Sequence, residues 1–257
     1  MPLDADYRAA MRALVRGISP SFADALSANP SSIDVERARV QHAAYVAALR
    51  QAGVTVTELP PLDAHPDGCF VEDCAVIAGG RALLTRPGAP SRQGEVDTVA
   101  EALAAWLPLE RTTAPATLDG GDVLRVGKTF YVGRTARTNA AGAARLAEVF
   151  ADHRVVEVPV GDVLHLKCVC TPMDDRRMVL AEGTIDPGIF RGVEVVLVPH
   201  EESYAANVLV VNGHALIASG FPATARALAA AGLHVVPLET TEIRKADGSL
   251  TCMSLLM

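Results

Sequence analysis

No apolar run in this chain reaches the length of a membrane span, and its opening residues Met1-Pro2-Leu3-Asp4 lack the basic and apolar regions of a signal peptide. A cytoplasmic protein is the expectation. Charge is also sparse: only 21% of residues are charged, and the net charge of -7 argues against nucleic acid or an anionic membrane surface as partner. An acidic chain suits instead a cationic small molecule held among carboxylates. Cysteine is missing in the patterns that would organise a small fold. The five thiols, Cys69, Cys74, Cys168, Cys170 and Cys252, are odd in number and contain no C-x2-C pair. Neither a disulfide framework nor a structural zinc site is expected, and most of these thiols read as core filler.

What is present is a hydrophobic half of 257 residues, enough for a sizeable core. We expect one catalytic domain over residues 1–257. Arg12–Arg16 reads as a strand, followed by a Ser-, Pro- and Asn-rich loop from Ser19 to Ser32. A helix from about Ile33 to Ala52 carries Val35, Ala38, His42, Tyr45 and Leu49 on one face, with Gly53 as its stop. His42 on that stripe is expected to be packed, not a ligand. Val54–Leu59 then alternates as a strand.

A pattern of hairpin, helix and strand now repeats. Phe70–Ile77 and Arg81–Thr85 turn at Gly79-Gly80, and a helix from about Gln93 to Leu107 follows. Asp122–Val132 turns at Gly127-Lys128, before a helix near Asn139–Phe150 and the strand Arg154–Val160. A less regular unit takes Leu164–Cys170 as a strand, then a loop, Arg177–Ala181 and Val193–Val198. Asn207–Val211 and His214–Ala218 flank Asn212-Gly213, with a helix at Pro222–Ala231 and a strand at Leu233–Leu238. The N-terminal strand and helix, closed by an apolar C-terminal strand from Leu250 to Met257, complete five units. The expected fold class is therefore α/β: a five-bladed, pseudo-symmetric α/β-propeller of ββαβ units around a central cavity. A doubly wound open sheet is the alternative, and the hairpins before the helices count against it.

Three stretches place costly polar residues where apolar ones would pack. They are Phe70-Val71-Glu72-Asp73, Leu118-Asp119-Gly120-Gly121-Asp122 and Leu164-His165-Leu166-Lys167. Each opens a unit, so a radial fold would bring them together with Cys252. A thiolate nucleophile, a His that shuttles protons and carboxylates that bind a cation define a reaction class. Ionised carboxylates accept hydrogen bonds only and match the planar fork of a guanidinium, so a guanidino compound is the expected electrophile. Arg92 and Arg137 can each offer a bidentate fork to an α-carboxylate, or pair structurally with an acid. No cofactor is required, although a thiol and a His could bind zinc adventitiously.

The ordered set Phe70–Val76, Thr85–Arg92, Leu118–Leu124, Val132–Asn139, His165–Lys167 and Leu250–Cys252 resembles the dimethylarginine dimethylaminohydrolases. These guanidine-modifying enzymes have a five-bladed α/β-propeller fold. The resemblance implies hydrolysis of asymmetric dimethylarginine or monomethylarginine to citrulline and a methylamine. It implies Cys252 as nucleophile, His165 as general acid then base, and Asp119 as its carboxylate partner. Glu72 and Asp73 correspond to guanidinium-site acids, Phe70 to a neighbouring substrate-binding residue, and Asp67 to a contact for the substrate amino group. The carbonyl of Ala246 (where the family usually has Val) lies near that group, Arg92 and Arg137 correspond to carboxylate clamps, and Leu26 to a loop residue over the site. The expected partner is a methylated arginine, bound by a monomer or a homodimer.

Two rivals remain: a guanidino-binding protein, which needs no Cys252–His165 couple, and an arginine deiminase. Deiminases carry a carboxylate two residues after the His, where this chain has Lys167. A cation there would repel the substrate, so Lys167 is expected to turn toward a neighbouring carboxylate or solvent. Methylated arginine should then be preferred over arginine.

Overall fold

The structure, a computed structural model, describes residues 11–257; the Met1–Asp4 opening lies outside them. The described chain runs β1 (Arg12–Arg16), α1 (Val35–Gln51), β2 (Thr55–Leu59), β3 (Ala75–Ala78), β4 (Arg81–Leu84), α2 (Glu95–Leu103) and β5 (Leu109–Arg111). It continues through β6 (Val123–Val126), β7 (Thr129–Arg134), α3 (Ala140–Val149), β8 (Arg154–Pro159), β9 (Cys170–Pro172), β10 (Arg177–Ala181) and β11 (Glu194–Val198). The last part is β12 (Leu209–Val211), β13 (His214–Ala218), α4 (Pro222–Ala230), β14 (His234–Leu238), α5 (Thr241–Lys245) and β15 (Ser254–Leu256).

The strands form five three-stranded sheets, as the repeat predicted: β15-β1-β2, β3-β4-β5, β6-β7-β8, β9-β10-β11 and β12-β13-β14. In each blade the first two strands pair antiparallel and the second and third pair parallel, because a crossover connects them. Four crossovers are helices; the irregular fourth blade uses only the short 3-10 turn Pro187–Ile189. The Asn212-Gly213 turn has both residues at positive φ, 47° and 77°, the geometry that suits a tight hairpin. α1 is capped by the Asp34 side chain, which accepts from Arg37 N, and α3 by Asn139, which accepts from Gly142 N. His42 is packed on the inner face of α1, where burial depresses its pKa to about 4.

A 3-10 turn precedes the innermost strand of every blade: Val71–Cys74, Gly120–Asp122, Leu166–Cys168, His200–Ala206 and Thr251–Met253. This corrects the sequence expectation, which put Phe70, His165 and Cys252 on strands. The turns are stitched into a closed ring. Gly121 N donates to Asp73 Oδ1 at 2.9 Å, and Leu166 N to Asp122 Oδ1 at 3.0 Å. Asn207 Nδ2 donates to Lys167 O at 2.9 Å, while its Oδ1 accepts from Thr251 N at 3.0 Å. Thr251 Oγ1 closes the circle by donating to Glu72 Oε2 at 2.8 Å. Buried backbone N–H groups cannot be left without acceptors, so side chains of one blade supply what the next blade's turn lacks. Both ends of the described chain enter the same blade, where β1 pairs with β15.

Candidate active site

Consecutive residues of a 3-10 turn diverge by a third of a turn, and here they face two cavities. One, of about 610 Å³, is lined by Asp67, Phe70, Asp73, Arg137, His165 and Cys252, with Leu26 and Ala246 at its rim. The other, of about 230 Å³, lies among the innermost strands and is lined by Glu72, Gly120, Lys167 and Thr251. The wall between them is the ring of turns itself.

In the larger cavity His165 Nε2 lies 2.9 Å from Asp119 Oδ2 and 3.9 Å from Asp73 Oδ1. Asp119 is fully buried, and its other oxygen accepts from Gly88 N at 2.8 Å, which fixes the carboxylate against the ring. Room for this arrangement comes from Gly121, where a Cβ would stand 2.6 Å from His165 Nδ1 and 2.9 Å from Asp73 Oδ1. Burial alone would depress the His165 pKa, but Asp73, the bond to Asp119 and the charge of Asp122 outweigh it and raise it to about 9. Asp73 moves the other way. Burial pushes it up, yet His165, Arg92 and the Gly121 amide bring it down to about 2. The Cys252 thiol is raised well above its ordinary value, by burial first and then by the negative field of Glu72 and Asp73. At neutral pH the resting site thus holds a protonated imidazole, ionised Asp73 and a neutral thiol.

Arg137 is the partly buried counterpart of this set. Its Nη1 is buried without a hydrogen-bond partner and stands 3.7 Å from Asp119 Oδ2. A guanidinium held there by a long ion pair, with Nη1 free of hydrogen bonds, is poised to bind a carboxylate. Asp67, across the cavity, accepts from Leu26 N at 3.2 and 3.3 Å, and burial raises its pKa against the pull of Arg92 and Leu26 N.

A family model described as "N,N dimethylarginine dimethylhydrolase, eukaryotic" matches residues 21–256. The chain belongs to the dimethylarginine dimethylaminohydrolase family. It is 36% identical over 252 residues to the N(G),N(G)-dimethylarginine dimethylaminohydrolase of Pseudomonas aeruginosa, covering 96% of each chain. It is 41% identical over 254 residues to that of Streptomyces coelicolor, covering 95% of each. The Pseudomonas aeruginosa enzyme, solved as a cysteine-to-serine variant with citrulline, superposes with a TM-score of 0.92 at 35% identity over 96% of this chain and 98% of that one. The N-terminal domain of ArgZ, an arginine dihydrolase, shares the fold with a TM-score of 0.87 at 20% identity, covering 96% of this chain and 97% of that one.

Within this family frame, Glu72 lies apart from the other sequence-derived site residues, and Arg92 lines the larger cavity with most of its donors already engaged. Glu72 does not face the larger cavity. Lys167 Nζ donates to its Oε1 at 2.6 Å and Thr251 Oγ1 to its Oε2, so both oxygens are engaged on the channel side. Lys167 does turn toward a neighbouring carboxylate, but it shares no face with His165, because Leu166–Cys168 is a turn and not a strand. Arg92 is committed to protein acids. It donates from Nη1 to Asp73 at 2.6 Å, from Nε and Nη2 to Glu95 at 3.1 and 2.8 Å, and from Nη2 to Phe70 O at 3.1 Å. Only one Nη1 hydrogen remains for a ligand, so as a clamp Arg92 is subordinate to Arg137. Sequence reasoning missed Glu95, Asn207 and Thr251, whose partners lie far away in sequence except for Arg92. It also missed Asp247, signalled only by an Asp-Gly turn beside Ala246.

His165, Asp119 and Asp73 each offer one ligand atom, all within 4.8 Å of one another. Their lone pairs are largely taken by Gly88, Gly121 and Arg92, which makes the trio an acid–base unit before a cation cage. Among the described residues no helix is long and apolar enough to cross a membrane.

Proposed function

We propose that this protein hydrolyses Nω-methylated arginines, asymmetric dimethylarginine and monomethylarginine, to citrulline and di- or monomethylamine through a covalent thiouronium on Cys252. The observation that carries this reading is one cavity lined by a thiol, a carboxylate-paired His, an ionised Asp and an Arg whose Nη1 makes no hydrogen bond. A binding protein would have no use for the thiol and the raised His together.

The cationic guanidinium lies against Asp73 and offsets the negative field that keeps Cys252 protonated, so the thiol gives up its proton to solvent as substrate binds, while His165 keeps its own. Sγ then attacks the guanidinium carbon. The C–N bond to the methylated nitrogen breaks, its electron pair takes the proton from His165, and the amine departs. Neutral His165 next accepts a proton from water, whose oxygen attacks the thiouronium carbon. The C–S bond breaks, citrulline leaves with a new carbonyl, and the thiol is restored. Asp119 holds the imidazole in position throughout. Arg137 binds the α-carboxylate, while Asp67 and the Ala246 carbonyl receive the α-ammonium beneath Leu26.

Preference for methylated substrate follows from the side of the ring on which Glu72 lies: it lines the smaller cavity, away from Cys252 and His165. With Glu72 bound to Lys167 and Thr251, a second donor-bearing edge of unmethylated guanidinium lacks that carboxylate acceptor, and an unpaired desolvated donor costs about 1–3 kcal/mol. A dimethylated nitrogen has no donor to lose. The test is citrulline release from arginine, monomethylarginine, asymmetric dimethylarginine and agmatine, with the released amine identified. Dimethylamine from dimethylarginine should dominate. Ammonia from arginine at equal or greater efficiency would make the protein a deiminase.

A further inference from the structure

The loop Leu26–Asn29 crosses the mouth of the cavity opposite Ala246–Gly248. Among the described residues, the hydrogen bonds that tie it to the rest of the chain run to two carboxylates. Asp67 accepts from Leu26 N, and Asp247 Oδ2 accepts from Ala28 N at 2.5 Å. Asn29 N bonds only within the loop, to Ser27 Oγ. Asp247 is moreover, among the described residues, one of two non-glycine residues at positive φ, 53°, a conformation that a side chain adopts at some cost and that Asp and Asn tolerate best. Gly248, which follows it, has no room for a side chain: a Cβ there would meet the Phe70 ring at 2.4 Å. The segment is therefore wedged against the cavity wall, with its carboxylate directed across the mouth.

We propose that Asp247 is a latch, a positioning residue whose carboxylate holds the loop Leu26–Asn29 over bound substrate. The role rests on the methylarginine hydrolase reading of the site. A charge-assisted bond to a backbone N–H is stronger than a neutral one, and this one spans 219 residues of sequence to join the two rims of the cavity. Asp67 anchors the loop at Leu26 and Asp247 anchors it two residues further on. With both in place, Leu26 is held above the α-amino end of a substrate whose guanidinium reaches Cys252. Without the second anchor, the loop pivots on Leu26 and the substrate is enclosed less often.

Three variants test this: Asp247→Asn, Asp247→Ala and Asp247→Gly. Asn keeps an acceptor and tolerates the left-handed backbone; Gly keeps the backbone at ease and loses the acceptor. Loss of the latch raises the KM for dimethylarginine about ten-fold in the Ala and Gly variants, with kcat changed less than about two-fold and Asn falling between. Amide hydrogen exchange at Ala28 accelerates in the same two variants, in the absence of substrate. A glycine variant with wild-type KM and wild-type exchange would overturn the latch, since the position would then matter only for its backbone. A raised KM with unchanged exchange would overturn it too and make Asp247 a direct substrate contact. The exchange readout needs no turnover, so it decides the latch even if the wild-type protein releases no citrulline and the functional reading fails.

Discussion

The two sides of the ring of turns are built to opposite rules. On the side of the smaller cavity, the channel among the innermost strands, the charged groups are paired: both Glu72 oxygens are bonded, and Lys167 donates to Glu72 at 2.6 Å and to Gly120 O at 3.2 Å. On the cavity side, Cys252, one residue after Thr251, sits in an opposing field, and Arg137 Nη1 has no hydrogen-bond partner. Buried polar groups are normally satisfied because an orphan costs about 1–3 kcal/mol. The channel side obeys this and holds the blades together. The cavity side withholds satisfaction where a cationic amino acid would supply it. The unbonded Arg137 Nη1 and the destabilised thiolate of Cys252, on one face of the ring, therefore mark the site beside the residue types.

The largest effects come from breaking the cavity side alone. Cys252→Ala and His165→Gln each reduce citrulline release to background while circular dichroism stays that of the wild type, since neither residue belongs to the hydrogen bonds that close the ring. The urea midpoint holds in Cys252→Ala and falls at neutral pH in His165→Gln, which leaves buried Asp119 and Asp73 without the imidazolium. Full activity in Cys252→Ala would shift the nucleophile to another thiol. Next comes a residue that belongs to both functions. Arg92→Met strands Asp73 and Glu95 as buried carboxylates and should destabilise the fold by about 3–5 kcal/mol in denaturant titrations. A loss within experimental error would mean the two acids are neutral in the folded protein.

A smaller effect lies in pH. His165 binds its proton more tightly folded, at about 9, than unfolded, at its ordinary 6.5. Its stabilising contribution is therefore complete below pH 6.5 and lost as pH rises through 9, a decline of about 3 kcal/mol. Urea midpoints between pH 6 and 10 should show that slope in the wild type and a shallower one in His165→Gln. The smallest effect is expected where one charge meets a remote part of the substrate. Arg137→Ala raises KM about ten-fold with a lesser loss in kcat, because it removes a contact made equally in ground and transition states. Equal losses in kcat and kcat/KM at unchanged KM would place Arg137 in the chemistry instead.

Much of the fold was legible because it is local. Hydrophobic periodicity marks the four crossover helices, Asn212-Gly213 and Gly79-Gly80 mark hairpins, and their recurrence at near-equal spacing implies radial closure. The residue types that carry the chemistry were legible too, since Glu72, Asp73, Asp119, His165 and Cys252 are costly choices at the openings of apolar units. What only the tertiary structure decided is which way each of them faces. A period of two would put His165 and Lys167 on one face, but the chain there forms a 3-10 turn, and turns of that kind were adopted because their backbone donors find acceptors on the neighbouring blade. Those acceptors, Asp73, Asp122 and Asn207, lie 44 to 48 residues from the amides they satisfy. The same distance in sequence hides why Glu72 serves the channel and Asp73 the cavity: the two differ only in which blade each meets, and that is settled when the ring closes.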